Sequence, residues 1–270
     1  MRETVTRSLS GLVYIILLTV SIFYSQFSFL ILFGVFLLIA VCEFCNLVKL
    51  QKPIPFAIAI FAYTLFGFFP VSPITAVLLL GGTLFVSVKC MLFLYNDSRQ
   101  HFDVGSKYVF LLGYIILPFV LLTRIPFLNG MYPIYRPEII ISIFVIIWTN
   151  DTFAFIVGKT IGQTKLFEKI SPKKTVEGFI GGAGFGILAA SLIAWYYIKE
   201  PVFIWIFTAI ILTVGGTIGD LIQSKFKRLA KVKHSGAIMP GHGGILDRLD
   251  SIIFAAPFVF LFYQILYYVS

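Results

Sequence analysis

The residues best suited to chemistry are crowded into one stretch, DLIQSKFKRLAKVKHSGAIMPGHGGILDRLD, from Asp220 to Asp250. If a helix continues past Asp220, Ser224 at i+4 and Lys227 at i+7 share its face, with Arg228 adjacent. A potential metal ligand, a hydroxyl and two cations then converge. Pro240, Gly241, His242, Gly243 and Gly244 interrupt regular structure. Gly243 and Gly244 let backbone N–H groups approach an anion, which makes the loop a candidate phosphate cradle. Asp247 and Asp250 lie three apart on the opening turn of the next helix and so share a face, with Arg248 between them. Two carboxylates beside phosphate oxygens form a ligand set that Mg²⁺ prefers.

A second element, SPKKTVEGFIGG at 171–182, offers Lys173 and Lys174 to phosphate and Glu177 to orient a cation. Asp151 stands near the end of an apolar run, roughly 10 Å deep at 1.5 Å per residue, where a carboxylate needs a cation or a wet cavity. A merely solvated basic loop has no need of this mixture.

These residues must be positioned by membrane helices. Of 270 residues, 59% are hydrophobic and 12% charged, against about 25% charged in a globular protein, so the bilayer is the solvent. About nine apolar stretches are long enough to span, at 8–24, 28–45, 55–72, 75–95, 108–123, 139–158, 178–198, 201–219 and 252–269. The expected fold is an all-α polytopic membrane protein. Most of the 21 Lys and Arg fall on one side if the N-terminus is cytoplasmic and the C-terminus outside. Arg2, Arg7, Lys49, Lys52, Arg99 and Lys107 are then inside, whereas Arg124, Arg136 and Lys199 are outside and Lys89 lies within the fourth span. The first apolar stretch reads as a retained helix, since no small-residue cleavage site follows it. The location expected is the cell inner membrane, multi-pass, with the active site facing the cytoplasm. The net charge of +9 favours anionic partners at that surface, membrane lipids or a nucleotide; no nucleic-acid motif is present.

Residues 1–138 read as a scaffold of about five helices, and residues 139–270 as a catalytic domain of about four helices with cytoplasmic loops. Glu43, in the second span, is costly in lipid and must face the interior, as a structural hydrogen-bonding group or a site residue. Gly178, Gly182, Gly186 and Ala190 form a small-residue stripe for close helix packing, within the chain or across a dimer. Gly158-Lys159-Thr160 lacks the earlier glycine of a P-loop, and the GGAGFG run at 181–186 lacks a preceding strand. His101, His234 and His242 have no zinc spacing, and Cys42, Cys45 and Cys90 read as buried apolar residues.

The motifs resemble the phosphatidate cytidylyltransferase (CDP-diacylglycerol synthase) family, whose signature runs S-x-x-K-R-x4-K-D and then PGHGG-x-x-DR-x-D. Ser224, Lys227, Arg228, Lys233, Pro240 to Gly244, Asp247, Arg248 and Asp250 fit it, and SPKKT-x-EG and TNDTFAFIVGKTIG are also similar to the family. The likeness covers residues 149–251. His234 departs from it, standing where the family has Asp.

The resemblance implies condensation of CTP with phosphatidic acid to give CDP-diacylglycerol and pyrophosphate. It implies Asp220 and Asp247 as Mg²⁺ ligands and catalytic residues, with Asp250 and Asp151 beside that ion or on a second one. Lys227 and Arg228 are expected in catalysis and His242 at the leaving pyrophosphate. Ser224, Lys173, Lys174, Lys233, Gly243, Gly244 and Arg248 are expected at the substrate phosphates. A homodimer is implied as well. Two rivals differ in class: a CTP-dependent isoprenoid-lipid kinase or related CDP-lipid synthase, and a non-catalytic transporter, which would call for inverted repeats.

Overall fold

A computed structural model describes residues 2–96, 102–128 and 134–269, with side chains at 6–96, 102–128 and 134–266. Arg99, His101 and the side chain of Arg2 lie outside the described residues. The described chain is almost wholly helical: α1 (Arg2–Tyr24), α2 (Gln26–Val48), α3 (Pro53–Phe68), α4 (Pro73–Tyr95), α5 (Val104–Phe127), α6 (Pro137–Thr160), α7 (Val176–Ile198), α8 (Val202–Leu229) and α9 (Leu246–Val269). The protein is an all-α polytopic membrane protein.

Local signals set the helix ends. Ser25 and Ser28 exchange hydrogen bonds as a capping box that starts α2 one residue after α1 stops. Ser72 followed by Pro73 opens α4, and Thr175 caps α7. Lys49 and Lys199, both left-handed, close α2 and the α7 segment.

Two lengths differ from expectation. Among the described residues eight helices are long enough to cross a bilayer, and α3 is the short one. It rises roughly 24 Å, less than the ~30 Å hydrocarbon core. Arg124, near the end of α5, donates to the carbonyls of Phe66 and Phe69 and so satisfies the backbone where α3 stops short. In contrast, α8 has 28 residues, about 42 Å, and carries Asp220 to Leu229 beyond a membrane-thickness helix. The loop expected around SPKKT is a hairpin: β1 (Lys165–Phe167) pairs antiparallel with β2 (Ser171–Thr175), Lys165 opposite Thr175.

The small-residue stripe is used inside the chain. A Cβ on Gly182 would lie 2.8 Å from the Asn150 carbonyl oxygen and 2.9 Å from the Ala154 Cβ, so α7 lies directly on α6. On the next seam, a Cβ on Gly219 would meet the Asp250 carbonyl oxygen at 2.5 Å, which puts α8 against α9 with Asp220 beside Asp250. Phe226 of α8 is ringed by Phe44, Phe93, Phe102, Phe110 and Tyr114, with centroids 4.8–5.9 Å away. The long end of α8 is thereby held by α2, α4 and α5.

Candidate active site

At one end of the bundle, α6, the hairpin, α7, α8 and α9 enclose a cleft of about 590 Å³. Asp151 from α6, Lys173 and Lys174 from β2, Asp220 from α8, and Asp247 and Asp250 from α9 all line it. Six of the residues expected at the site are therefore together, contributed by four elements. The Gly219 seam holds α8 against α9, and the Thr213–Asn150 hydrogen bond ties α8 to α6, so that the carboxylates of the three helices share one space.

The charges are paired in two ways. Lys174 is ion-paired with Asp220, both about 30% exposed, and so faces the cleft. Lys227 donates to the Asp247 Oδ1 at 2.7 Å, with side chains 11% and 6% exposed. Lys227, expected in catalysis, is thus turned inward to hold a carboxylate. Asp151 accepts from the Asn150 amide at 3.2 Å, and Asn150 in turn accepts from the Thr213 hydroxyl of α8 at 3.1 Å. The Asp250 Oδ1 accepts the Ser251 N–H at 2.8 Å. Ser224 reaches Asp220 only at 3.4 Å.

The glycine loop corrects an expectation. Instead of being left free for a bound phosphate, the N–H groups of His242, Gly243 and Gly244 are used within the fold. The His242 and Gly243 N–H groups donate to the Met239 carbonyl, and Gly244 donates to Asp247 Oδ2 at 3.2 Å. Gly243, at φ +89°, could not carry a Cβ, which would sit 2.5 Å from Asp247 Oδ2. The loop is a clamp on Asp247, reinforced by the Ser235 N–H at 2.8 Å. A spacing pattern reveals the glycines but not where their amides point.

Other expected residues lie around the cleft rather than in its wall. His242 faces α1, its Nδ1 2.8 Å from the Ser10 hydroxyl, which also donates to the Pro240 carbonyl. Burial, together with the charges of Arg248 and Arg7, holds the His242 imidazole below its ordinary pKa. Arg248 is exposed and donates to the His242 carbonyl at 2.9 Å, while Arg228 and Lys233 are exposed at the same end of the bundle. Glu177 does not face the cleft; its carboxylate accepts the N–H groups of Gln163 and Thr164 and ties the hairpin to α7. His234, the departure from the family pattern, has its Nδ1 3.6 Å from Asp247 Oδ2.

Sequence reasoning missed Asn150, Thr217, Lys159 and Lys165 in the cleft wall. Arg7, whose Cγ would lie 2.5 Å from a Cβ on Gly241, was also missed as a neighbour of the loop. The one available signal was Asn150, a polar residue next to Asp151 in an apolar helix.

Four carboxylates around one cleft are an all-oxygen donor set, and that chemistry fits a hard divalent cation such as Mg²⁺. Among the described residues no three acidic, imidazole or thiol groups converge to ion-binding distance, and lysines hold Asp220 and Asp247.

Residues 5–266 match the profile described as the cytidylyltransferase family. The chain belongs to the cytidylyltransferase family. Among similar proteins is the phosphatidate cytidylyltransferase of Staphylococcus aureus (strain COL), 48% identical over 120 residues, 44% of this chain and 46% of the relative. Its namesake from Bacillus subtilis (strain 168) is 44% identical over 117 residues, 43% of this chain and 44% of the relative. The chain is therefore matched over about half the length of these relatives. In this member of the cytidylyltransferase family the cleft has both acidic and basic walls.

Proposed function

We propose that this protein is a phosphatidate cytidylyltransferase, condensing CTP with phosphatidic acid to give CDP-diacylglycerol and pyrophosphate. The observation that carries this is the gathering of Asp151, Asp220, Asp247 and Asp250 with Lys173 and Lys174 around one cleft. That cleft sits at the end of a membrane-helix bundle, in a family member whose relatives bear that name.

A phosphate oxygen of the lipid attacks the α-phosphorus of CTP, and the bond from that phosphorus to the bridging oxygen of the β-phosphate breaks. Pyrophosphate leaves with the electron pair. The lipid phosphate is already anionic at neutral pH, so no strong base is needed. The barrier is dominated by repulsion between two polyanions. Lys173, Lys174, Lys159 and Lys165 on the cleft wall lower it, and Arg228, Lys233 and Arg248 draw the nucleotide to that end of the bundle. Lys227 keeps Asp247 in place, and Asn150 orients Asp151. Asp220 and Asp247 would hold Mg²⁺, with Asp151 and Asp250 beside it or on a second ion. Bound there, the metal supplies positive charge to the crowded phosphorus centre and the leaving group.

The concentration of basic residues at the cleft end supports placing that end in the cytoplasm, with the protein in the cell inner membrane, N-terminus inside and C-terminus outside. Residues 1–138 then act as scaffold and 139–270 carry the chemistry. A homodimer belongs to the same proposal, and native mass spectrometry of the detergent-solubilised protein counts the copies.

The deciding test supplies purified protein with phosphatidic acid, Mg²⁺ and CTP labelled at the α- or γ-phosphate. Label from the α-phosphate in lipid, with pyrophosphate released, is the expected result. Label from the γ-phosphate in an added polyprenol would make the protein a lipid kinase, and no transfer to any lipid would remove the enzymatic reading.

A further inference from the structure

Glu43 is a buried carboxylate near the end of the apolar helix α2, 5% exposed, and a group of that kind in a membrane helix must be compensated by partners. Its partners all belong to the other half of the chain. Oε1 accepts the Ile245 N–H at 3.0 Å, while Oε2 accepts the Leu246 N–H at 2.9 Å and the Ser235 hydroxyl at 2.7 Å. Ile245 and Leu246 open α9, so Glu43 caps that helix from a different one, satisfying amides that have no partner within it. The surrounding chain is shaped to admit the carboxylate. A Cβ on Gly244 would lie 2.2 Å from Oε2, and one on Gly236 2.4 Å from Oε1.

Asp247 takes the neighbouring donors of the same loop, the N–H groups of Ser235 and Gly244. Ser235 therefore bridges two carboxylates, its amide on Asp247 and its hydroxyl on Glu43. We propose that Glu43 is a positioning residue for the reaction: it fixes the first turn of α9 and the loop before it, and through them the direction of Asp247 in the cleft. This rests on the reading of Asp247 as a participant in cytidylyl transfer. Three donors require a head group that only accepts. Glutamine is the same size but places an N–H2 against at least one of the backbone N–H groups, so the turn must shift.

The experiment compares wild type, Glu43→Gln, Ser235→Ala, Asp247→Asn and the double variant Glu43→Gln/Asp247→Asn, all purified in the same detergent. It measures α-label transfer from CTP, hydrogen exchange across residues 235–247, and thermal unfolding. Glu43→Gln is expected to lose kcat by roughly ten- to a hundredfold, the size associated with misplacing a catalytic group by about 1 Å, with a smaller change in KM for CTP. Exchange at Ile245 and Leu246 should quicken. Ser235→Ala should shift both readouts in the same direction by less, and the double variant should be no worse than Asp247→Asn alone. Wild-type kcat in Glu43→Gln overturns the proposal, as does a double variant whose loss is the product of the two single losses. If Glu43→Gln does not fold, wild-type kcat and exchange in Ser235→Ala overturn it instead. Absence of transfer by the wild type defeats the proposed function, whereas unchanged exchange in the variants defeats the clamp.

Discussion

Lys227 of α8 donates to Asp247 of α9 across 2.7 Å with side chains 11% and 6% exposed, whereas Lys174 and Asp220, on the wall of the same cleft, are about 30% exposed. Two lysine–aspartate pairs at one site thus have different surroundings, and substitution should separate them.

Removing one partner of the more buried pair leaves a buried charge without its counter-charge, a loss of about 3–5 kcal/mol. Lys227→Met should therefore lower the unfolding temperature sharply. Lys227→Met combined with Asp247→Leu should recover much of that stability while remaining unable to transfer cytidylyl label. Thermal unfolding in detergent and the label assay check both halves; recovery of activity in the double variant would contradict a reaction role for Asp247.

The open pair behaves in the opposite way. Lys174 and Asp220 are only half-buried and open to solvent in the cleft, where an ion pair contributes about 1 kcal/mol or less, so Lys174→Gln should unfold within a few degrees of wild type. Its transfer rate should nevertheless fall at least tenfold, because a cleft-wall cation facing the substrate phosphates is lost. Equal losses of stability in Lys174→Gln and Lys227→Met would show that the two pairs are not distinguished by burial.

Gly219→Ala tests the α8–α9 seam. The added methyl would meet the Asp250 carbonyl oxygen, so the helices must part, at a cost of about 1–3 kcal/mol. The expected outcome is a lower unfolding temperature together with weaker transfer, since Asp220 and Asp250 ride on the separated helices. A variant matching wild type in both would mean that the seam does not set the carboxylates.

Chelation by EDTA should abolish transfer and added Mg²⁺ should restore it. Asp220→Asn should raise the Mg²⁺ concentration needed for half-maximal rate, since one anionic ligand becomes neutral. An unchanged Mg²⁺ requirement would remove Asp220 from the ligand set.

His242 gives a pH prediction. Its folded pKa lies below the ordinary imidazole value, burial being the largest cause, followed by the charges of Arg248 and Arg7. The unfolded chain, titrating near ~6.5, then takes up the proton first. Stability is unaffected above that pH and is lost as the pH falls through it. Against His242→Gln, wild type should unfold progressively earlier as the pH falls below about 6.5. Parallel curves for the two proteins below that pH would rule it out.

Much of this architecture was legible locally. Apolar length marked the helices, Ser25, Ser72 and Thr175 marked where three of them begin, and the run from Asp220 to Asp250 marked the chemistry. These are short-range properties: a backbone satisfied within its own helix, and side chains placed by a 3.6-residue repeat. Even α3 follows the pattern, failing only in length, because the Arg124 that completes it comes from another helix.

The sequence by itself determined that this is a bundle of membrane helices with its acidic and basic residues concentrated in one region. Only the tertiary structure decided what those residues do to one another. Glu43 meets the Ile245 N–H across a separation of 202 residues, and nothing near position 43 encodes that partner. The glycine loop reads as a phosphate cradle until its amides are seen spent on Met239 and Asp247. The physical reason is that a hydrogen bond requires position and direction at both ends. Spacing along the chain fixes these within a helix, and between helices they are fixed only by packing, here by the close seams at Gly182 and Gly219.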